Sequence, residues 1–499
     1  MNSRPYFGLS TIKPKIACAG VPLADYLGCP RAGRIVLLLI LLTLVASPGW
    51  AQSAKPINWD AIAAEATTLL SKYIQIDTTN PPGNELAAAR FLREQFLAAG
   101  IPAVVFQPAP GRGIVAARLR GVGRHRKAVI LLSHMDVVAA VAKDWSEPPF
   151  AGVVRSGQIW GRGALDDKGP GVVELMALLT IKRSRILLDR DIIFIATGDE
   201  EAGGKMGVGW LVNHEPELYG DAGYVLNEGG GIRDYKDGHK LYAVGVVEKS
   251  PLWLHLTVSD SPSHGAVPPR HSAVTRIVMA LAKLIAYNDN APIKVLPVVQ
   301  RYFAKLAAID QLPPGAAKLR QALQKDPDFA RQFLSVPFQS ALVRNTITPT
   351  VINAGYKTNV VPATATADLD CRLLPGSSPK DFIRIVHEVI ADNGVKVEST
   401  LNYPSVSSPE HSPLMEAIRL LAHRMDKGAV LAPMMTNGFN DCHYFREHGL
   451  VAYGFVPIPL RADEAHGVHG ANEHLAIADL RAGVQRMFVL LQILGGKGG

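Results

Sequence analysis

Along the chain, runs of branched aliphatic residues that break off at polar clusters alternate with stretches carrying one apolar residue every three to four positions. Trp59 to Ile74 has Ile62, Leu69 and Leu70 near one stripe, which predicts an amphipathic helix. The turn cluster TTNPPGNE, Thr78 to Glu85, ends it. Asn84 is placed to cap a second helix that runs to about Ala99, with Gly100 in the stopping position. Strands are predicted at Ala103 to Phe106, Ile114 to Leu119 and Ala128 to Ser133, and a helix over Gly169 to Ile181.

The strand ends carry the chemistry. Ala128 to Ser133 stops at His134 and Asp136, a His-x-Asp whose two side chains point the same way in extended chain. The same pattern recurs in DRDIIFIATGDEEAGG, Asp189 to Gly204, which ends in Glu200 and Glu201. Ala222 to Leu226 repeats it a third time, ending in Asn227 and Glu228. In an open α/β sheet the crevice beyond the carboxyl ends of the strands is where ligands bind, so the three ends are expected to converge.

From about Val246 the texture changes. EKSPLWLHLTVSDSPSHGAVPP alternates like a strand with one exposed face, and a helix follows at Ser272 to Tyr287. A strand pair at Asn345 to Ala354 and Thr364 to Cys371 and a helix at Lys380 to Asn393 complete an α+β module. Within it, 293–339 is a polar, helix-prone insertion without a chemical signature. The last hundred residues return to the first texture, with a helix at Pro413 to Met425, a strand near Leu450 to Phe455, a His-rich loop and a closing helix at Ile477 to Leu494. The fold class is therefore α/β with an inserted α+β module. The expected organisation is a presequence at 1–51, a first domain in two parts at 52–245 and 400–499, and the inserted domain at 246–399.

Composition narrows the function. The chain has 499 residues, 48% of them hydrophobic, enough for more than one domain. Of the net charge of +8, half lies in the first 51 residues, where Arg4, Lys13, Lys15, Arg31 and Arg34 face Asp25 alone. The remainder is too weakly and diffusely basic to imply nucleic acid or an anionic membrane surface as partner. Arg31 and Arg34 precede the apolar run Ile35 to Val45, and Ala51 supplies a small residue after it, the pattern of a secretory signal cleaved near Ala51. The run is short for a bilayer span, so a periplasmic or secreted protein with no stable membrane span after cleavage is expected. Cys371 and Cys442 are the cysteines left after that point, and two make no disulfide scaffold.

Gathered together, the candidates are His134, Asp166, Glu200, Glu201 and Glu228, with His466, His469 or His474 from EAHGVHGANEH. Nitrogen and carboxylate donors without thiolate suit zinc, manganese or cobalt, and a carboxylate bridging two ions is what a two-metal hydrolytic site requires. Such a pair lowers the pKa of a shared water and polarises a carbonyl. One further carboxylate must stay unligated to move the proton, and the adjacent Glu200 and Glu201 offer one of each.

The motifs SHMDVV, GRGALDDKG, TGDEEAGG, VLNEGG, SHGAVPP, TNVVPATATADLDCRLLPG and VHGANEH resemble, in order, those of the zinc-dependent exopeptidase family. That family includes glutamate carboxypeptidase, aminoacylase and succinyl-diaminopimelate desuccinylase. The likeness is strongest to its Gly-Xaa carboxypeptidase (carboxypeptidase S) and N-acyl-amino-acid hydrolase branch, and covers about residues 57 to 496. It implies a mixed-sheet catalytic domain with an inserted lid and dimerisation domain, two zinc ions, and a homodimer formed through the lid. It makes Asp166 the bridging ligand, His134 and Glu228 the ligands of one ion, and Glu201 and His469 those of the other. Glu200 matches the general base and Asp136 the residue that orients His134, and the Asp166 to Asp167 peptide is expected to be cis. His264 matches a lid histidine that reaches the partner subunit's site and stabilises the oxyanion. Asn359 and Arg372 match lid residues that hold the substrate, and the fork of Arg372 suits a carboxylate. Asn227 departs from relatives, which often have Asp before the ligand.

The function this implies is hydrolysis of an amide next to a free carboxylate, with a small peptide or an N-acyl amino acid as substrate. The rival is a non-catalytic periplasmic protein that keeps the fold and captures peptides.

Overall fold

In a computed structural model, the described residues are 56–123, 126–235, 237–309, 311–461 and 467–496. The expected presequence and His466 lie outside them. From Ile57 on, the chain forms a single compact unit built on two sheets.

The larger sheet has eight strands, in the order Ala103–Phe106, Ile114–Leu119, Ile192–Thr197, Ala128–His134, Ala222–Asp234, Val451–Arg461, Lys240–Glu248 and Val430–Thr436. Ala128–His134 runs parallel to both neighbours, whereas the edge pair Ala103–Phe106 and Ile114–Leu119 is antiparallel. The sheet is therefore mixed. All seven residues of Ala128–His134 and all six of Ile192–Thr197 are buried, as continuous apolar runs must be when helices cover both faces. The helices Trp59–Ile74, Lys168–Arg183 and Ile477–Leu494 cover one face and pack on one another there. The first is capped by Asn58, whose side chain accepts from the Ala61 amide at 3.1 Å.

The second sheet has four antiparallel strands in the order Thr346–Ala354, Thr364–Leu373, Ser250–Ser259 and Val395–Asn402. Burial alternates along Thr364–Leu373, because the helices Ala273–Asp289 and Pro379–Ile390 cover only one face. A small ribbon pairs Ser263–His264 with Val360–Val361.

Three local features differ from the pattern read in the sequence. Asn84 precedes the helix Glu85–Ala98, but its side chain makes no cap; its amide reaches back to the Asp77 carbonyl at 3.4 Å. The strand expected at Ala222 to Leu226 continues to Asp234 and folds back on Lys240–Glu248 as a hairpin. Gly230 permits this close crossing, since a Cβ there would lie 2.2 Å from the Gly454 carbonyl oxygen. The 293–339 insertion forms short helices that do not join the core of the smaller sheet. Val299, Tyr302, Phe303 and Leu306 of the helix Pro297–Ala308 instead enter the core under the larger one, against Val430–Thr436. Among the described residues no helix is long and apolar enough to cross a membrane, and Cys371 and Cys442 are buried and free.

Candidate active site

Parallel strands deliver their last residues to one edge of the sheet, and the cluster assembles there. His134 ends its strand with Nε2 2.9 Å from Asp166 Oδ1 and 3.9 Å from Glu228 Oε1. His469 approaches from the other side, with Nε2 3.1 Å from Asp166 Oδ2 and 3.2 Å from Glu201 Oε1. Asp166 thus stands between two imidazoles, one on each carboxylate oxygen. Donor atoms of His134, Asp166 and Glu228 lie within 4.8 Å of one another, and so do those of Asp166, Glu201 and His469. The Asp166–Asp167 peptide is cis.

Each ligand candidate is held from behind. The imidazole Nδ1 of His134 lies 3.0 Å from the main-chain carbonyl of Asp136 and 3.6 Å from its carboxylate. The carbonyl is the nearer orienting contact, with the expected carboxylate just beyond it. The Asp136 carboxylate is engaged elsewhere. It accepts the amides of Glu200 and Glu201, both at 3.1 Å, and the Asn80 side-chain amide at 2.9 Å. It fixes the turn that presents both glutamates. Asp199, in left-handed backbone at φ 69°, starts that turn and accepts the Met206 amide.

Glu473 does the same for Asp166. It is fully buried, and its carboxylate accepts the amides of Leu165 at 2.7 Å, Asp166 at 3.1 Å and Gly163 at 3.2 Å, with the guanidinium of Arg162 at 2.7 Å. Sequence reasoning missed it, although it lies four positions after His469 in the motif VHGANEH. Of the other histidines there, His474 turns away and stacks on Trp160 with centroids 4.4 Å apart.

The charges of the cluster bear on what it could hold. Burial would raise the Asp166 carboxyl, but hydrogen bonds from His134 and His469 outweigh it and hold the group well below the usual carboxylate range. Hydrogen bonds to Asp166 and Glu201 push His469 up to about 10. Burial and then the neighbouring Asp166 raise Glu228, and burial and then Glu228 raise Glu200. Acids crowded this closely repel one another when ionised, and cations among them would relieve that repulsion. Glu200 Oε1 is buried with no hydrogen-bond partner.

The cluster opens into a cavity of about 440 Å³ lined by Asp166, Glu200, Glu201, Glu228 and His469, and by Trp253 and Arg372 from the smaller sheet. Trp253 lies opposite Asp370 in the ladder, two residues from Arg372, so all three share the sheet face turned to the cavity. Asp370 grips Arg372 through Nε at 2.6 Å and Nη2 at 2.9 Å, and the guanidinium carbon sits 4.7 Å from the Phe439 ring centroid. Arg372 Nη1 and Trp253 Nε1 are buried without acceptors. His264 and Asn359 are not in this lining. They lie together and exposed on the small ribbon, where the Asn359 carbonyl accepts the Gly265 amide at 2.9 Å.

The model of peptidase family M20/M25/M40 matches residues 130–492. The chain belongs to that family. Mouse N-fatty-acyl-amino acid synthase/hydrolase PM20D1 is 27% identical over 94% of this chain and 97% of its own length. Pig aminoacylase-1 is 26% identical over 79% and 87%. Among solved structures, the M20 family metallo-carboxypeptidase Sso-CP2 from Sulfolobus solfataricus superposes with a TM-score of 0.67 at 18% identity, over 86% of this chain and 99% of that one, and shares the fold. As an M20 protein, the chain is a hydrolase of the metallopeptidase and amidohydrolase type, and the non-catalytic binding-protein alternative finds no support.

Proposed function

We propose that this M20 protein is a di-zinc amidohydrolase that cleaves the amide joining an acyl group or amino-acid residue to an amino acid with a free carboxylate. The observation that carries it is Asp166, one carboxylate shared by two triads of nitrogen and oxygen donors. The residues fit such a pair: His134, Asp166 and Glu228 would hold one ion, and Asp166, Glu201 and His469 the other. The donor set, without thiolate, suits zinc, with cobalt or manganese as substitutes. Bound there, divalent ions acidify a water and polarise the scissile carbonyl.

The remaining roles belong to side chains. Glu200, with Oε1 bare and its proton affinity raised by burial, takes a proton from the attacking water and delivers it to the nitrogen of the departing amine. Arg372 Nη1 and Trp253 Nε1 are donors buried at a cost unless an acceptor arrives, and the substrate carboxylate supplies one. His264 and Asn359 serve the site of a second copy, because in their own chain they are exposed and do not line the cavity. His264 there donates to the developing oxyanion. The basic and apolar presequence with its small residue at Ala51 supports a periplasmic or secreted enzyme; N-terminal sequencing of the mature protein tests that reading.

The deciding experiment is Glu200→Gln assayed on N-acetyl amino acids and dipeptides. The proposal expects kcat to fall by about 10²- to 10⁴-fold with metal content unchanged, and chelation to abolish wild-type turnover until zinc is restored. Activity that survives both treatments refutes it.

A further inference from the structure

The turn cluster TTNPPGNE, which follows the first helix, sends one side chain to the back of the acidic cluster. Its main chain runs beside the residues after His134. Thr79 forms a parallel bridge with Val137, the Asn80 amide donates to the Val137 carbonyl at 3.0 Å, and the Val137 amide donates to the Thr78 carbonyl at 3.2 Å. Asn80 is buried there, and these main-chain bonds fix it next to Asp136.

The two ends of the Asn80 side chain meet groups of opposite kind. Nδ2 donates to Asp136 Oδ2 at 2.9 Å and faces Asp199 Oδ1 at 3.4 Å, whereas Oδ1 accepts from Arg112 Nη2 at 3.0 Å. A guanidinium can only donate and an ionised carboxylate can only accept, so one orientation of the amide satisfies both. Arg112 is itself anchored, with Nη1 2.6 Å from Glu85 Oε1 and Nη2 3.3 Å from Asp199 Oδ1. Glu85 in turn packs against the residue before Asp199, since a Cβ on Gly198 would lie 2.6 Å from Glu85 Cγ.

We propose that Asn80, held by Arg112, is the positioning residue of the general base Glu200. The inference rests on the amidohydrolase reading and deepens it. Asp136 takes the amides of Glu200 and Glu201 on its two oxygens, each at 3.1 Å, and Asp199 opens the same turn. Asn80 is the donor that Asp136 and Asp199 share. Without it the turn that begins at Asp199 is free to shift relative to Asp136, and the Glu200 carboxylate shifts with it. Asn80 and Arg112 are outside the cavity lining, so their effect on the reaction passes through Glu200. A brace that served folding alone would show the opposite pattern, with stability, substrate binding and turnover falling together.

The test uses the full-length, metal-loaded protein with Asn80→Asp, Asn80→Ala or Arg112→Lys. Asn80→Asp keeps shape and volume but puts an acceptor where the donor stood; Arg112→Lys keeps the charge and loses the fork. A misplacement of about 1 Å at a reacting group costs on the order of a hundredfold, so both Asn80 variants should lose about 10- to 100-fold in kcat on N-acetyl amino acids or dipeptides, with KM unchanged. Arg112→Lys should lose several-fold in the same direction. In a Glu200→Gln background Asn80→Ala should lower kcat by less than about threefold, because the group it positions is gone, and substrate affinity measured there by calorimetry should not change. Equal losses in both backgrounds, a loss carried by KM, or an Asn80→Asp enzyme as active as wild type overturns the proposal. Should the Asn80 variants fail to fold, Arg112→Lys carries the same readings. A wild type that turns over no N-acyl amino acid or dipeptide rejects the amidohydrolase reading alone. The visible spectrum of the cobalt-loaded protein then decides, because the Glu201 amide hangs from the same Asp136 carboxylate. A spectrum altered by Asn80→Ala retains the positioning role, and an identical one rejects it.

Discussion

Replacing Glu473 by glutamine changes one atom in a fully buried side chain that touches no substrate, and its cost follows from the count of donors around it. Oε1 accepts from the amides of Leu165 and Asp166, and Oε2 from the amide of Gly163 and the guanidinium of Arg162. Every acceptor direction is met by an N–H. Whichever way the glutamine amide turns, its NH₂ faces two donors and leaves them unsatisfied. At about 1–3 kcal/mol for each buried unsatisfied group, and more when it is charged, the loss is about 3 kcal/mol. A folded unit of about 440 residues unfolds with an entropy near 0.9 kcal/mol per kelvin, so Tm should fall by roughly 3 °C. The same four bonds set the backbone of Asp166, the shared ligand of the proposed metal pair. Supports of this kind are worth about 10- to 100-fold in metal affinity. Scanning calorimetry of the metal-free variant and competition titration with a chelating dye read the two effects independently. Unchanged Tm together with unchanged metal affinity would refute the argument that Glu473 holds the bridging aspartate in place.

Three further outcomes follow from the same structure. Trp253→Phe keeps an aromatic ring but removes the indole N–H with the five-membered ring that carries it; kcat/KM on an N-acyl amino acid should fall about 10- to 100-fold while its carboxamide analogue is much less affected, and equal losses on both would show that Trp253 does not bind the carboxylate. Burial pushes Glu85 up to about 7 against an unfolded value near 4.5, despite its ion pair with Arg112 at 2.6 Å. The folded chain then keeps a proton that the unfolded chain releases, so stability from this group is present below pH 4.5 and lost as pH rises through 7. Urea unfolding of wild type and Glu85→Gln across that window should diverge by on the order of 1 kcal/mol per pH unit, and parallel profiles would contradict the shift. Mixing inactive His264→Ala with inactive Glu200→Gln should restore about a quarter of wild-type activity if lid histidines act across a twofold dimer, and no recovery despite subunit exchange would show that they do not.

What the chain disclosed in advance was the part governed by local periodicity. The strand ending at His134 and the one preceding Glu200 are aliphatic runs buried on both faces, and such runs reveal both strand and strand end. His469 was distinguished from His474 by motif resemblance alone; the structure separates them because His474 stacks on Trp160. The support of the site was not legible, since its contacts join distant parts of the chain. Glu473 meets Leu165 across 308 positions, and no local spacing encodes that. Asp136 was placed correctly beside His134, but whether its carbonyl or carboxylate faces the ring depends on the Glu200 turn that captures the carboxylate. Trp253 read as one member of an alternating strand, and only the register opposite Asp370 turns it toward the cavity. The insertion at 293–339 gave no signal because its apolar residues pair with a strand more than a hundred positions later, Val430–Thr436.

In the proposed catalytic centre one carboxylate serves two ions. Elemental analysis of the purified protein, paired with the same analysis of Asp166→Asn, measures this directly. Two metals per chain in the wild type, with both lost or weakened together in the variant, is the predicted result. A wild type that holds a single metal, or a variant that still holds two with undiminished affinity, would contradict it.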